Sequence, residues 1–397
     1  MKLASPISCT ACMACVDSCH HDALNVSIDR DGFYCIEAHP DKCVECGLCG
    51  RVCPVLASTS VDREEIRLSH PYAAWCTDDA LRSQSASGGA FAALAKAFLK
   101  KGAVVYGAAV SGFEVRHRRI ETEKKLPLLL GSKYQLSRMD EVYRQVKADL
   151  RSGRIVLYSG LSCQVAGVLN FVGEKLLENL FTIDTICGGI STMLPMLQMQ
   201  FSDDYTSIHS FRNKDNGWKS TGYKYALKMD QKDGTVRDLG MDNMVLRCFC
   251  HKETKRPSCL DCHFNGFHRP SDATIGDFWG DTRFSEQHAH GLSVIVTHSE
   301  RLNHAGAMAY LHTEPITWQE LIARNQNVYW SHPKYLIKSL SRKMIFRKLR
   351  VGDDAAATRL LEQSNMLKRI EAKIFFKKNE QARKSYLQRI LDKTENK

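Results

Sequence analysis

The 397-residue chain contains no run approaching the roughly 18 uninterrupted apolar residues that a membrane-spanning helix needs. The residues before Cys9 hold no apolar signal core, which points to a cytoplasmic protein. Nothing suggests an oxidising compartment, so disulfides are not the expected use of cysteine. The body also lacks a charge imbalance: residues 1–333 carry 37 Lys/Arg and 37 Asp/Glu. With no basic stripe interleaved with aromatics, nucleic acid is not an expected partner. What the chain does have is sixteen cysteines in an ordinary soluble composition, 44% apolar and 25% charged. Cysteine used that heavily without disulfides reads as metal binding, and the length suggests two or three domains.

Cys9, Cys12, Cys15 and Cys19 follow the spacing Cys-x2-Cys-x2-Cys-x3-Cys, and Cys43, Cys46, Cys49 and Cys53 repeat it, with Pro54 next. This is the duplicated signature of a two-cluster 4Fe-4S ferredoxin domain, in which the fourth cysteine of each run serves the other run's cluster. The expected sets are Cys9, Cys12, Cys15 and Cys53 for one cluster, and Cys43, Cys46, Cys49 and Cys19 for the other. Gly47 and Gly50 should ease the turns, and residues 23–37 read as a hairpin around Gly32. A single structural zinc site would not require two such triplets.

Helix and strand then alternate. An alanine-rich helix over 88–100 stops at Gly102 before a strand over 103–110. Asp140 is expected to cap a helix to about Leu150, followed by a strand over 155–158, a helix over 163–171 and a strand over 180–186. Past residue 200, an alternating stretch over 223–229 precedes the hairpin signal Asp233-Gly234. The expected fold is therefore an α+β ferredoxin-like domain, then an α/β domain with a mostly parallel sheet and an antiparallel extension, and a helical basic tail.

Cys163 and Cys187 each follow a predicted strand, where ligands of open parallel sheets collect. With Cys259-x2-Cys262 they make a possible four-thiolate set. A rival set is Cys248, Cys250, Cys259 and Cys262, spaced as an all-cysteine zinc site.

Ser87-Gly88-Gly89, Gly131-Ser132-Lys133-Tyr134, Cys163-Gln164, Cys187-Gly188, Phe211 to Lys214 with Gly217-Trp218, and Cys259-x2-Cys262 followed by Asp272 to Gly280 occur in this order. Over about residues 1–330 the chain resembles the beta-subunit family of the deazaflavin coenzyme F(420) hydrogenases and dehydrogenases, in the branch with an N-terminal two-cluster ferredoxin domain. Relatives of that family act on a deazaflavin or a chlorophyll derivative, or have no known substrate. The resemblance implies an iron–sulfur flavoprotein with FAD and a core cluster on Cys163, Cys187, Cys259 and Cys262. It implies domains at 1–60 (ferredoxin), 71–155 (flavin-binding) and 156–330 (third cluster), and composition sets 331–397 apart as a basic helical tail. Cofactor contacts are expected at Ser87, Gly88, Gly89, Gly131, Ser132, Lys133, Tyr134 and Gln164, and catalytic roles at Lys133 and Asp277. Glycines opening a helix let backbone N–H groups approach a pyrophosphate. Lys133 could face a flavin phosphate or ring, and Asp277 could orient a ring or substrate.

The implied activity is an oxidoreductase passing electrons from a ferredoxin-like donor, or a partner oxidoreductase subunit, through 4Fe-4S clusters to FAD and an organic substrate. Two alternatives are a non-catalytic electron-transfer subunit of a larger dehydrogenase and a cluster-bearing protein of surface-polysaccharide biosynthesis. The whole net charge of +11 sits in residues 334–397, where Leu360, Leu361, Leu367, Ile370, Ile374 and Phe375 keep helical spacing. That tail reads either as a helix packed on the body or as peripheral contact with the inner face of the membrane.

Overall fold

The computed structural model describes residues 1–57, 69–192, 197–198, 201–212, 214–215, 217–218, 226–240, 243–266, 269–325 and 339–363. The ferredoxin-like part comprises α1 (Ala14–Ser18), the antiparallel hairpin β1 (Leu24–Ile28) and β2 (Tyr34–Ala38), and α2 (Leu48–Val52). Gly32 sits in the hairpin loop with φ 84°, in the left-handed region that favours glycine.

The main sheet uses β3 (His70–Cys76), β4 (Val104–Ser111), β5 (Glu114–Ile120), β6 (Val156–Leu161) and β7 (Leu180–Thr185), with three later strands. A separate small sheet is made by β8 (Tyr205–Ser210), β9 (Lys228–Gln231) and β10 (Val236–Asp238). The later strands of the main sheet are β11 (Ala273–Asp277), β12 (Ser293–Thr297) and β13 (Leu311–Pro315), and the order is β13-β3-β12-β11-β7-β6-β4-β5. The central neighbours β11, β7, β6 and β4 are parallel, whereas every pairing outside them is antiparallel. The antiparallel part therefore flanks the parallel centre on both sides. The hairpin expected after residue 223 forms instead in the separate sheet, turning at Gly234 with φ 84°. Residues 223–225 of that expected strand lie outside the described residues.

Helices α3 (Asp79–Gln84), α4 (Ala90–Lys100), α5 (Val142–Arg151) and α6 (Ser162–Val172) connect and cover these strands. The strands' two-residue period divides the core. Val104, Tyr106, Val156, Tyr158 and Leu180 join α5, α6 and the ferredoxin residues Cys12, Met13 and Ala14 on one face, while Val105, Leu157 and Ile183 meet the alanine side of α4 on the other. The ferredoxin part thus shares a core with the sheet.

Asp140 does not cap α5; it and Glu141 both have positive φ, and Glu141 makes no side-chain cap. The cap is Asp17 of α1, whose carboxylate accepts from the Glu141 and Tyr143 N–H groups at 3.2 and 3.0 Å. A capping oxygen can come from anywhere that tertiary packing brings one to the open N–H groups. Gly50 lies inside α2 with negative φ and no crowding, so it does not serve a turn.

Beyond α7 (Met244–Cys250), helix α8 (Leu340–Arg350) opens the described part of the basic tail. Its Ile345, Phe346 and Leu349, with Ala357 and Leu361 of the helical stretch 354–363, are buried with Phe33, Val115 and Tyr205. This part of the tail is packed on the body. Leu367, Ile370, Ile374 and Phe375 lie outside the described residues, and no helix among the described residues is long and apolar enough to cross a membrane.

Candidate functional site

The two cysteine runs repeat their backbone as well as their spacing. Ala11 and Glu45, each before the second cysteine, have φ 52° and 54°; Met13 and Gly47, each after it, have φ 67° and 72°. The left-handed residues direct backbone N–H groups back onto sulfur: Ala11 N–H to Cys9 Sγ at 3.4 Å, and Glu45 N–H to Cys43 Sγ at 3.4 Å. Only one of the four positions is a glycine, so most of this curvature is held against the usual preference of a side chain. Cys19 and Cys53 end α1 and α2 in matching extended conformations. Cys53 lies in the electrostatic field of Cys9 as well as Cys49, and Cys12 in that of Cys53.

In the core, Cys163 on α6, Cys187 after β7, and Cys259 with Cys262 all line one small cavity, walled by Leu136, Leu161, Ile190 and Phe264. Thr10 of the first cysteine run lines it too. Gly189 N–H donates to Cys187 Sγ at 3.3 Å and Ile190 N–H to Cys259 Sγ at 3.4 Å. Burial pushes the Cys187 thiol up to about 11 and the Cys262 thiol up to about 12, so these groups would ionise at neutral pH only with a compensating cation. Four thiols, sulfur-directed N–H groups and apolar walls suit an iron–sulfur cube. The rival zinc set is not drawn together in this way: Cys248 is buried in the packing of α7, Cys250 is exposed, and Cys259 and Cys262 face Cys163 and Cys187.

A second cavity of about 460 Å³ opens at the carboxyl ends of β6, β7 and β11. Ser87, Gly89, Gly131, Ser132, Lys133, Tyr134, Gln164, Cys187 and Asp277 all line it. Lys133 Nζ donates to the Leu129 and Leu130 carbonyls at 2.9 and 2.5 Å, and desolvation pushes its pKa down to about 7. Tyr134 stacks on Phe249 with ring centroids 4.0 Å apart. Gln164 has its amide engaged locally, accepting from Leu161 N–H at 3.0 Å and donating to Ser137 Oγ at 3.1 Å.

One expected role changes. Gly88 does not line the cavity; a Cβ there would stand 2.5 Å from the Ala74 carbonyl and 2.6 Å from the Ser293 N, so glycine lets this loop lie directly against the paired β3 and β12 backbones. Asp277 is ion-paired to Arg212 at 2.9 Å, and Arg212 lies over the Trp279 ring. Its carboxylate holds that cation and aromatic pair in place on the cavity wall.

The structure adds residues that no spacing announced. Buried Gln135 Oε1 and Asn325 Nδ2, an acceptor and a donor, have no hydrogen-bond partner among the described residues, and both side chains line the larger cavity. His117, also on its wall, is held between Ser137 Oγ at 2.7 Å and the Ser159 carbonyl at 2.9 Å, and burial pushes its pKa down to about 4. Lys214 Nζ gathers the carbonyls of Arg82, Ser87 and His290 behind the Ser87 loop. Around the four thiols stand three buried cations. Lys255 bonds the Gly189 and Phe249 carbonyls, Arg256 the Cys9 and Tyr34 carbonyls, and Arg269 pairs with Asp184 at 3.6 Å. Cationic surroundings offset the charge of thiolate-ligated clusters.

Residues 153–318 match the family model for the C terminus of the coenzyme F(420) hydrogenase/dehydrogenase beta subunit, and residues 8–57 match a 4Fe-4S dicluster domain. No curated protein matches the chain. Among solved structures, a chain of the F(420)-reducing NiFe hydrogenase complex from Methanosarcina barkeri is similar at 16% identity and a TM-score of 0.45, covering 70% of this chain and 92% of that one.

Proposed function

We propose that this chain, which belongs to the coenzyme F(420) hydrogenase/dehydrogenase beta-subunit family, is an iron–sulfur flavin oxidoreductase that relays electrons from a protein donor to an organic substrate. The observation that carries this reading is a shared wall. Cys187, with Leu161, Gly189 and Ile190, lines both the four-thiol cavity and the 460 Å³ cavity. A cluster held by Cys163, Cys187, Cys259 and Cys262 would therefore adjoin whatever occupies the larger space.

The lining suits a flavin. Tyr134, Phe249 and Trp279 offer aromatic surface, the desolvated Lys133 has no anionic partner among the described residues, and Gln135 and Asn325 present an acceptor and a donor unused among those residues. A flavin ring edge carries both an N–H and carbonyl oxygens, and its phosphates would match Lys133 and the Ser87 to Gly89 loop at the start of α4. When bound, a flavin converts single electrons into a two-electron reduction. The chain's own part is to hold both groups against Cys187, keep water out, and aim cations at them. Neutral His117 fixes one wall through Ser137 and Gln164.

Anaerobic reconstitution tests the reading. About twelve irons per chain with one non-covalent FAD, and reduction of a candidate substrate by the isolated chain, would support it. Clusters without bound flavin would leave the electron-transfer subunit as the better account.

A further inference from the structure

The first cysteine run and the core thiols meet on one helix. Cys163, of the core set, and Gly167 stand four residues apart on α6, a spacing that puts both on one face. Beside Gly167 lies Cys12: a Cβ at position 167 would stand 3.4 Å from Cys12 Sγ, 3.5 Å from Ala14 Cβ and 3.2 Å from Tyr143 Oη. The Tyr143 hydroxyl fastens this contact, donating to the Cys12 carbonyl at 2.8 Å and more weakly toward the Gln164 carbonyl of α6 at 3.4 Å. Thr10 lines the core-thiol cavity, and Cys163 lies in the electrostatic field of Cys12 as well as that of the other three core thiols. The second run is turned the other way, with Val44, Glu45, Cys46 and Gly47 exposed.

We infer that the group held by Cys9, Cys12, Cys15 and Cys53 is the immediate electron donor to the core thiol site, and that Gly167 is the positioning residue that sets the gap between them. The inference rests on the electron-relay reading and orders its steps. An electron on the group of Cys43, Cys46, Cys49 and Cys19 passes to the first-run group and then across α6 to the core. Each transfer oxidises the giving group by one electron and reduces the receiving group by one, with no bond or proton change. Tunnelling weakens steeply with distance, so a helix that supplies a core ligand and receives Cys12 one turn later keeps the two sites in contact. Glycine is a poor residue for a helix interior, and close approach, not propensity, accounts for it in the middle of α6. In a close-packed interior a side chain there would wedge Cys12 and α1 away from the helix.

The test uses the full chain, reconstituted anaerobically and reduced with titanium(III) citrate, and reads electron paramagnetic resonance, in which neighbouring reduced clusters split each other's signals. Cys43→Ala with Cys46→Ala removes two ligands of the second group. That chain should keep about eight irons and a core signal still split by the first-run group. An unsplit core signal there overturns the order of transfer, whatever the behaviour of the Gly167 variants. Adding Gly167→Val should collapse the splitting while iron stays at about eight, and adding Gly167→Ala, whose methyl asks its neighbours to give by only a few tenths of an ångström, should reduce it. A packing role alone would lower the melting temperature without moving the splitting, so unchanged splitting in Gly167→Val overturns the gap-setting role. If Gly167→Val loads iron poorly, Gly167→Ala decides: splitting equal to that of the parent chain overturns the role. A wild-type chain that loads only about eight irons would remove the core group and overturn the relay reading itself, a distinct result.

Discussion

Arg256 donates from Nε to the Cys9 carbonyl at 2.8 Å across 247 positions of sequence. Its Nη1 reaches the Tyr34 carbonyl at 2.6 Å, its N–H bonds the Ile190 carbonyl at 2.7 Å, and its own carbonyl accepts from Cys259 at 3.0 Å. One buried residue therefore ties the dicluster domain, the Cys187 loop and the Cys259 turn together. Arg256→Met should cost about 2–4 kcal/mol, because buried carbonyls lose charged donors. Differential scanning calorimetry of the reconstituted protein checks this, and a melting temperature equal to wild type would show that the junction does not depend on Arg256.

Asp17 caps α5 from another element, so Asp17→Ala should cost about 1–2 kcal/mol. Asp140→Ala, at the position that sequence alone favours as the cap, should cost less. Chemical denaturation of the two variants gives the comparison, and the reverse order would refute the assigned cap.

Cys259→Ala combined with Cys262→Ala should remove about four irons and leave the dicluster spectrum intact, since the core thiols occupy a cavity of their own. Iron and sulfide analysis beside electron paramagnetic resonance reads the result. Unchanged iron would exclude a core cluster on these residues.

Lys133 gives a pH dependence with a definite sign. Its pKa falls from 10.5 to about 7 on folding, so between those values the unfolded chain binds more protons and stability rises with pH. In flavin-free protein, the stability difference between wild type and Lys133→Met should therefore shift in favour of wild type from pH 7 to 9. Bound FAD should flatten that slope by holding the ammonium charged. Parallel curves for the two flavin-free proteins would contradict the desolvated site.

Gly88→Val should destabilise the fold itself, since its side chain would collide with the backbone at Ala74 and Ser293. Gly131→Ala meets open space but must adopt φ 80°, which costs about 1 kcal/mol. Thermal melts of flavin-free protein separate the two. A Gly88→Val chain as stable as wild type would return Gly88 to a purely cofactor role.

By itself the sequence determined whatever is written in short-range spacing. The duplicated cysteine runs mark a dicluster domain because three thiolates of each cube come from one short run, and apolar runs bounded by glycines mark α4, β6 and α6 as buried elements. Even the order of motifs carried the family. Tertiary structure decided what depends on distant residues meeting: that Cys163 and Cys187 join Cys259 and Cys262 around one cavity, that Asp17 and not Asp140 caps α5, that Gly88 serves packing, and that Asp277 is bound to Arg212. It also revealed Gln135, Asn325, Lys255 and Arg256, whose roles have no local signal. A buried polar atom acquires its meaning from the groups that remove it from water, and those groups come from strands and loops up to 247 residues away.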